Sequence, residues 1–269
     1  MHASTRRIIR CMRRWLAALL VAAPVHAGAQ QLLDFREGLA FRATTVEKFA
    51  DIAYRRRLDA LRADGRLDAD PALLARVRGL IERLRPAAEY ERPAARQFAW
   101  EAHVCRECGE NASTMAGGKL LVGEEFVAVL APSDDELGYL IAHEMAHALA
   151  EHTRAFASDA RTFLGNGLAR GYADIQNELD WNLAAQLRMS PAYGQQELDA
   201  DYAGFILGAR AGFRPEAMLS LLGKLPTGED SALSPHANMQ ARLKQAQAML
   251  ETARRIRASG LAAQAHERP

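Results

Sequence analysis

Residues 141–152 read IAHEMAHALAEH. Two histidines, His143 and His147, stand four apart, Glu144 follows the first, and His152 comes five after the second. Residues four apart on a helix share a face, about one turn from each other. His143 and His147 can therefore hold one ion. Glu144 lies about 100° round from His143, near enough to reach a water on that ion and take its proton. This is the mechanical content of the H-E-x-x-H pattern. Five residues alone do not separate a zinc site from a helix rich in histidine, so the flanking sequence carries the decision.

Upstream, Ser133-Asp134-Asp135-Glu136 forms a capping box that opens the helix. Leu137, Leu140, Ile141, Met145, Ala148 and Leu149 give it an apolar side. A catalytic zinc takes three protein ligands and keeps a further position open. Downstream, ELDAD (197–201) places Glu197 and Asp201 four apart on a predicted helix. Glu197 is the candidate third ligand. Asp201 can accept a hydrogen bond from the far nitrogen of His143, the kind of partner that metal-binding histidines almost always have. Alone, ELDAD reads as a solvated acidic face; paired with H-E-x-x-H it completes a site for one Zn²⁺ per chain.

Further out, the segment from Leu32 to Leu84 reads as helices. Asp70-Pro71 starts one of them, and Leu73, Leu74, Val77, Leu80, Ile81 and Leu84 follow at helical spacing. Pro86 and Pro93 mark its exit. Phe98, Trp100, Ala102 and Val104 alternate with Gln97, Glu101 and His103, as in a half-buried strand. Gly117-Gly118 makes a turn into the extended KLLV. Residues 153–190 read as helical pieces broken by Gly165, Gly167 and Gly171. A further helix is predicted from near Gln195 to Gly212, with Pro215 in the first turn of the next. A loop runs through Pro226 and Pro235, and a final helix starts near Ala237 and frays at its polar end.

The first 29 residues differ from the rest. Five arginines precede the apolar run WLAALLVAAPV (15–25), which leads into Ala27-Gly28-Ala29. This is the layout of a cleavable secretory signal peptide. Eleven apolar residues are too few for a permanent membrane anchor, which needs roughly 20. Its removal takes away five basic residues and no acid, leaving 29 basic against 33 acidic. No basic stripe remains to suggest nucleic acid. Export would place Cys105 and Cys108 in an oxidising compartment, where a C-x-x-C pair reads as a disulfide. A redox motif lacks the surrounding strand-helix pattern, and a second metal site with His103 supplies three ligands where a closed zinc site takes four. Hydrophobic content of 49% and charged content of 25% suit a globular chain and exclude a fibrous or wholly disordered one.

Taken together, NASTMAGG (111–118), DELGYLIAHEMAHALAEH (135–152), QQELDADYAGFILGARAGFRP (195–215) and SPHANMQARL (234–243) resemble, in content and order, the zinc endopeptidases of metallopeptidase family forty-eight. That family includes HtpX-like heat-shock proteases, CaaX prenyl proteases and periplasmic quality-control proteases such as BepA. The resemblance implies a gluzincin-type domain, mainly α within an α+β plan, with a small edge sheet beside the zinc-binding helix. It implies zinc on His143, His147 and Glu197, with Glu144 as general base. It also implies His236 as a donor to the oxyanion of the tetrahedral intermediate and Arg242 as a brace for the acidic cluster. From the residues alone, His236 is a loop histidine and Arg242 a solvated helix arginine. His152 lies off the ligand face and reads as capping or packing. The segment 111–122 would edge the cleft, where an extended peptide could pair with a strand. Ala237 replaces the usual proline after the histidine, Met115-Ala116 replaces Leu-Pro, and the membrane helices of two branches are missing.

The expected organisation is a signal peptide (1–29), one metallopeptidase domain (30–250) and a polar tail (251–269). Within the domain, 30–95 is a helical N-terminal part and 96–250 the catalytic core. The expected function is a zinc-dependent endopeptidase in periplasmic protein quality control. Its substrates would be peptides or unfolded proteins, with envelope proteins as partners and no nucleic acid. A zinc-binding chaperone or regulatory module without peptidase activity, and a cell-wall peptide amidase, are the alternatives. The intact Glu144 argues against the first of these, and the spacing to Glu197 with the loop histidine argues against the second.

Overall fold

A computed structural model describes residues 38–109, 111–164, 169–225 and 239–266, with side chains to residue 260. The expected signal peptide and His236 lie outside the described residues. Helix α1 (Ala43–Ala63) buries Val46, Ala50, Tyr54, Leu58 and Leu61, a stripe at spacings of three and four. Helix α2 (Pro71–Glu91) opens on Asp70, whose side chain accepts from the Ala72 and Leu73 amides. It runs on past Pro86, which sequence reading took as its end. Burial of Ala87 and Ala88 and the Glu91–Arg210 ion pair at 2.6 Å offset the hydrogen bond that proline removes.

A 3₁₀ turn (Pro93–Gln97) leads to β1 (Glu101–Cys105), followed by β2 (Ala112–Met115) and β3 (Lys119–Gly123). The alternation from Phe98 thus begins to pair only at Glu101. The order is β1-β3-β2, with β1 parallel and β2 antiparallel to β3. Every residue of central β3 is buried, whereas β2 is an edge strand. Gly117 and Gly118 turn β2 into β3 at φ of 82° and 80°, where other residues are strained.

Seven further helices follow among the described residues: α3 (Glu124–Leu130), α4 (Asp134–Leu149), α5 (His152–Phe163), α6 (Tyr172–Trp181), α7 (Leu183–Arg210), α8 (Glu216–Lys224) and α9 (Met239–His266). The Ser133–Glu136 capping box opens α4, with both of its hydrogen bonds present. Helices α2, α7 and α8 surround α4, and α9 lies along α7. These elements share the main core with Ala102, Val104, Leu120 and Val122 of the sheet. A smaller cluster joins Phe41 and Val46 to α5, α6 and Ala185 and Met189 of α7.

Two further boundaries differ from expectation. Helix α7 starts at Leu183 instead of near Gln195, because Asn182 caps the Ala184 and Ala185 amides and Ala185 and Met189 are buried in the smaller cluster. Pro191 sits inside it. Residues 251–269 were expected to form a polar tail, yet α9 continues through them to His266. Ala253 and Ile256 enter the main core, and the Arg257 guanidinium donates to the Gly212 carbonyl. A stripe of two apolar residues among arginines buries itself through the face they share.

Candidate metal centre

Helix α4 is almost wholly buried, so its polar side chains are held by design of the surroundings and not by solvent. It supplies His143, Glu144 and His147; α7 supplies Glu197 and Asp201; α9 supplies Arg242. The two ligand-bearing helices approach very closely. A Cβ added at Gly204 of α7 would stand 2.9 Å from both the Cα and the N of His143. Only glycine lets α7 lie on the α4 backbone at that point, and this contact brings Glu197 to the histidines.

The three candidate ligands form a closed triangle. His143 Nε2 is 3.1 Å from His147 Nε2 and 3.4 Å from Glu197 Oε2, and His147 Nε2 is 3.3 Å from Glu197 Oε1. Among the described residues this is the group able to hold a metal ion. The fit can be tested by geometry. Tetrahedral ligands at 2.0–2.1 Å from zinc stand about 3.3 Å from one another, the edge length observed here. Two imidazoles and a carboxylate are also the donor set that suits zinc.

Charge points the same way. Burial works against protonation of His143, yet Glu197 and the hydrogen-bonded Asp201 push its pKa up to about 10. The pocket is therefore short of positive charge, which a divalent cation would supply in place of the proton. Asp201, 2% exposed, receives His143 Nδ1 at 3.0 Å and two hydrogen bonds from Arg242 at 2.6 and 2.8 Å. Burial would raise its pKa, but Arg242 and His143 hold it below the usual carboxylate range. Arg242, 3% exposed, also lies 3.3 Å from Glu197 Oε2. Its place is thus between the two carboxylates.

Glu144, His147 and Glu197 line a cleft of about 460 Å³. Asn111, Ala112, Ser113 and Thr114 form one wall, while Phe156, Leu179 and Tyr193 belong to the other. The structure joins Cys105 and Cys108 as a disulfide at the end of β1, outside this lining. His103 contacts Asp68 and Glu101, not the cysteines. His152, assigned from sequence to capping or packing, is buried with its Nδ1 2.8 Å from His147 Nδ1. Sequence reading missed this contact and the role of Gly204; the four-residue spacing of Gly204 and Gly208 was the available signal for the second.

The family model described as Peptidase family M48 matches residues 71–250. Over 136 residues the chain is 34% identical to the mitochondrial metalloendopeptidase OMA1 of Saccharomyces cerevisiae, covering 48% of this chain and 38% of that one. The OMA1 of Schizosaccharomyces pombe is 31% identical over 133 residues, 48% of this chain and 39% of its own. That of Arabidopsis thaliana is 31% identical over 155 residues, 55% and 31% respectively. The chain spans less than two fifths of the length of each of these curated relatives.

Proposed function

The chain belongs to peptidase family M48 and is a metallopeptidase by that membership; from this premise we propose that it is a zinc-dependent endopeptidase acting on extended or unfolded polypeptide. One observation carries the proposal. The closed triangle of His143, His147 and Glu197 meets, through His147 and Glu197 and beside Glu144, a cleft lined by an edge strand.

Zinc bound there would supply Lewis acidity and lower the pKa of a coordinated water toward 7. Glu144 takes a proton from the attacking water and returns it to the leaving amine, a role worth about 10²–10⁴-fold. Asp201, held by Arg242, fixes the ring of His143 with its proton on Nδ1. Among the described residues β2 pairs with β3 alone, and its Ala112, Ser113 and Thr114 line the cleft. An extended main chain would add there as a further strand, which favours peptides over small molecules. His236 is the proposed donor to the oxyanion on the resemblance alone.

Export to the periplasm and a part in protein quality control complete the proposal. Export rests on the basic, apolar and small-residue layout of residues 1–29 together with the resemblance, and quality control on the resemblance alone. The mitochondrial location in the relatives' names belongs to those proteins. No helix among the described residues is long and apolar enough to cross a membrane. A chaperone module with a structural zinc is less favoured, since Glu144 faces the cleft where holding a metal needs no base.

Casein digestion by the purified chain and by Glu144→Gln, with zinc counted in both, tests the reading. The variant should keep its zinc and lose about 10²–10⁴-fold of activity. Equal activity in the two would defeat the proposal.

A further inference from the structure

The two ligand histidines have unlike neighbours. His143 Nδ1 meets the carboxylate of Asp201 at 3.0 Å, whereas His147 Nδ1 meets the imidazole of His152 at 2.8 Å. The His147 and His152 rings cross edge to face, at 77° with centroids 4.8 Å apart. His152 is 5% exposed.

Its position depends on an uncommon backbone. Helix α4 stops at Leu149, and Glu151 takes the left-handed conformation at φ 53° and ψ 38° before α5 begins at His152. A residue with a side chain is seldom found there, and such strain persists where the surroundings over-determine it. Here Arg92 and Arg154 both hold the Glu151 carboxylate. Burial would raise the Glu151 pKa, but these two arginines hold it below the usual range. From the other side, the Gln196 amide donates to the His152 carbonyl at 3.2 Å, tying this turn to the residue beside Glu197.

We infer that His152 is a positioning residue for the metal: its Nδ1 accepts the Nδ1–H of His147 and so presents His147 Nε2 to the ion. The inference rests on the metal reading of the site. An imidazole that ligates through Nε2 carries its proton on Nδ1 and must donate it. Nδ1 of His152, as acceptor, is then unprotonated, and that ring keeps its proton on Nε2. A neutral imidazole draws on this proton less than a carboxylate would. The two ligands therefore differ: His143 is the more electron-rich donor, and His147 is oriented without added negative charge.

The test is the zinc dissociation constant, read by chelator competition on the full chain. His152→Leu keeps bulk but removes the acceptor, and should weaken zinc about 10–100-fold. His152→Asn places an amide oxygen near the lost nitrogen and should restore most of that affinity. Leu binding as tightly as the native chain, or Asn binding as weakly as Leu, would overturn the inference while leaving the metal site in place. A native chain that holds no zinc would instead overturn the metal reading, and this inference with it. A measurement without substitution guards against a variant that does not fold. Nitrogen-15 spectra of the zinc-loaded native chain should show His152 protonated on Nε2 and His147 on Nδ1; a proton on Nδ1 of His152 would refute the arrangement.

Discussion

One helix, α7, serves two unlike regions. Its C-terminal half lies against α4 and α9 and carries Glu197 and Asp201. Its N-terminal half lies in the smaller cluster with α5 and α6. Around the first half the buried polar groups are paired with opposite charge, as Asp201 is with Arg242, and Gly204 admits direct backbone contact. Around the second half large apolar side chains stand in solvent, Phe163 at 66% exposure, Leu183 at 56% and Trp181 at 84%. Pro191 divides the two and interrupts the backbone ladder between them. The lesson is that charge pairing and direct backbone contact are concentrated where an ion would be held, while the other half of the helix packs through apolar contacts with large side chains left exposed beside it.

Substitutions should divide along the same line. Arg242→Ala leaves Asp201 and Glu197 buried without their guanidinium, which should cost about 3–5 kcal/mol, measured by denaturant unfolding in the presence of chelator. A loss below about 1 kcal/mol would mean that the metal half is no more demanding than an exposed surface. Gly204→Ala forces a Cβ against the His143 backbone and should destabilise by about 1–3 kcal/mol while weakening zinc. Unchanged zinc affinity there would show that the helices can part without disturbing the ligands.

How much of this was legible in the sequence follows from how each feature is encoded. His143 with His147 and Glu197 with Asp201 are pairs at helical spacing, so local periodicity aligns each pair on its own helix, while Gly204 brings the two helices together. The capping box fixed the start of α4 for the same reason. His152 was not legible. On a continuous helix it would face away from His147, and only the left-handed turn at Glu151 swings it back. Glutamate gives no hint of such a turn, as glycine would have done. The course of α7 through Pro191 and of α9 beyond Leu250 was also hidden. Both depend on tertiary burial, of Met189 in one case and of Ala253 and Ile256 in the other.

A pH titration sharpens the contrast at the mouth of α4. Burial opposes the charge of Glu136, but hydrogen bonds from Lys224, Ser220 and the Ser133 amide hold its pKa down to about 2, against 4.5. Depressed in the folded state, it contributes stability above pH 4.5 that is lost as pH falls toward 2. Glu136→Gln should therefore lose about 1 kcal/mol at pH 7 and show a flatter acid limb between those values. An unchanged acid limb would remove Glu136 from the account. The smallest effect belongs to the other region: Trp181→Ser should shift stability by no more than about 0.5 kcal/mol and leave turnover of a short peptide intact. A fall in turnover as large as that of Glu144→Gln would erase the distinction between the two regions.

Arg242 comes to the acidic pair from α9, 41 residues after Asp201. Domains emerge from the ribosome N-terminal end first. A nascent chain that has made α4 and α7 already holds the residues that would grip an ion. It does not yet hold the cation that lets Asp201 and Glu197 sit side by side in the dark of the core. On this chain order, the guanidinium that compensates the acidic pair comes last, with the docking of the C-terminal helix.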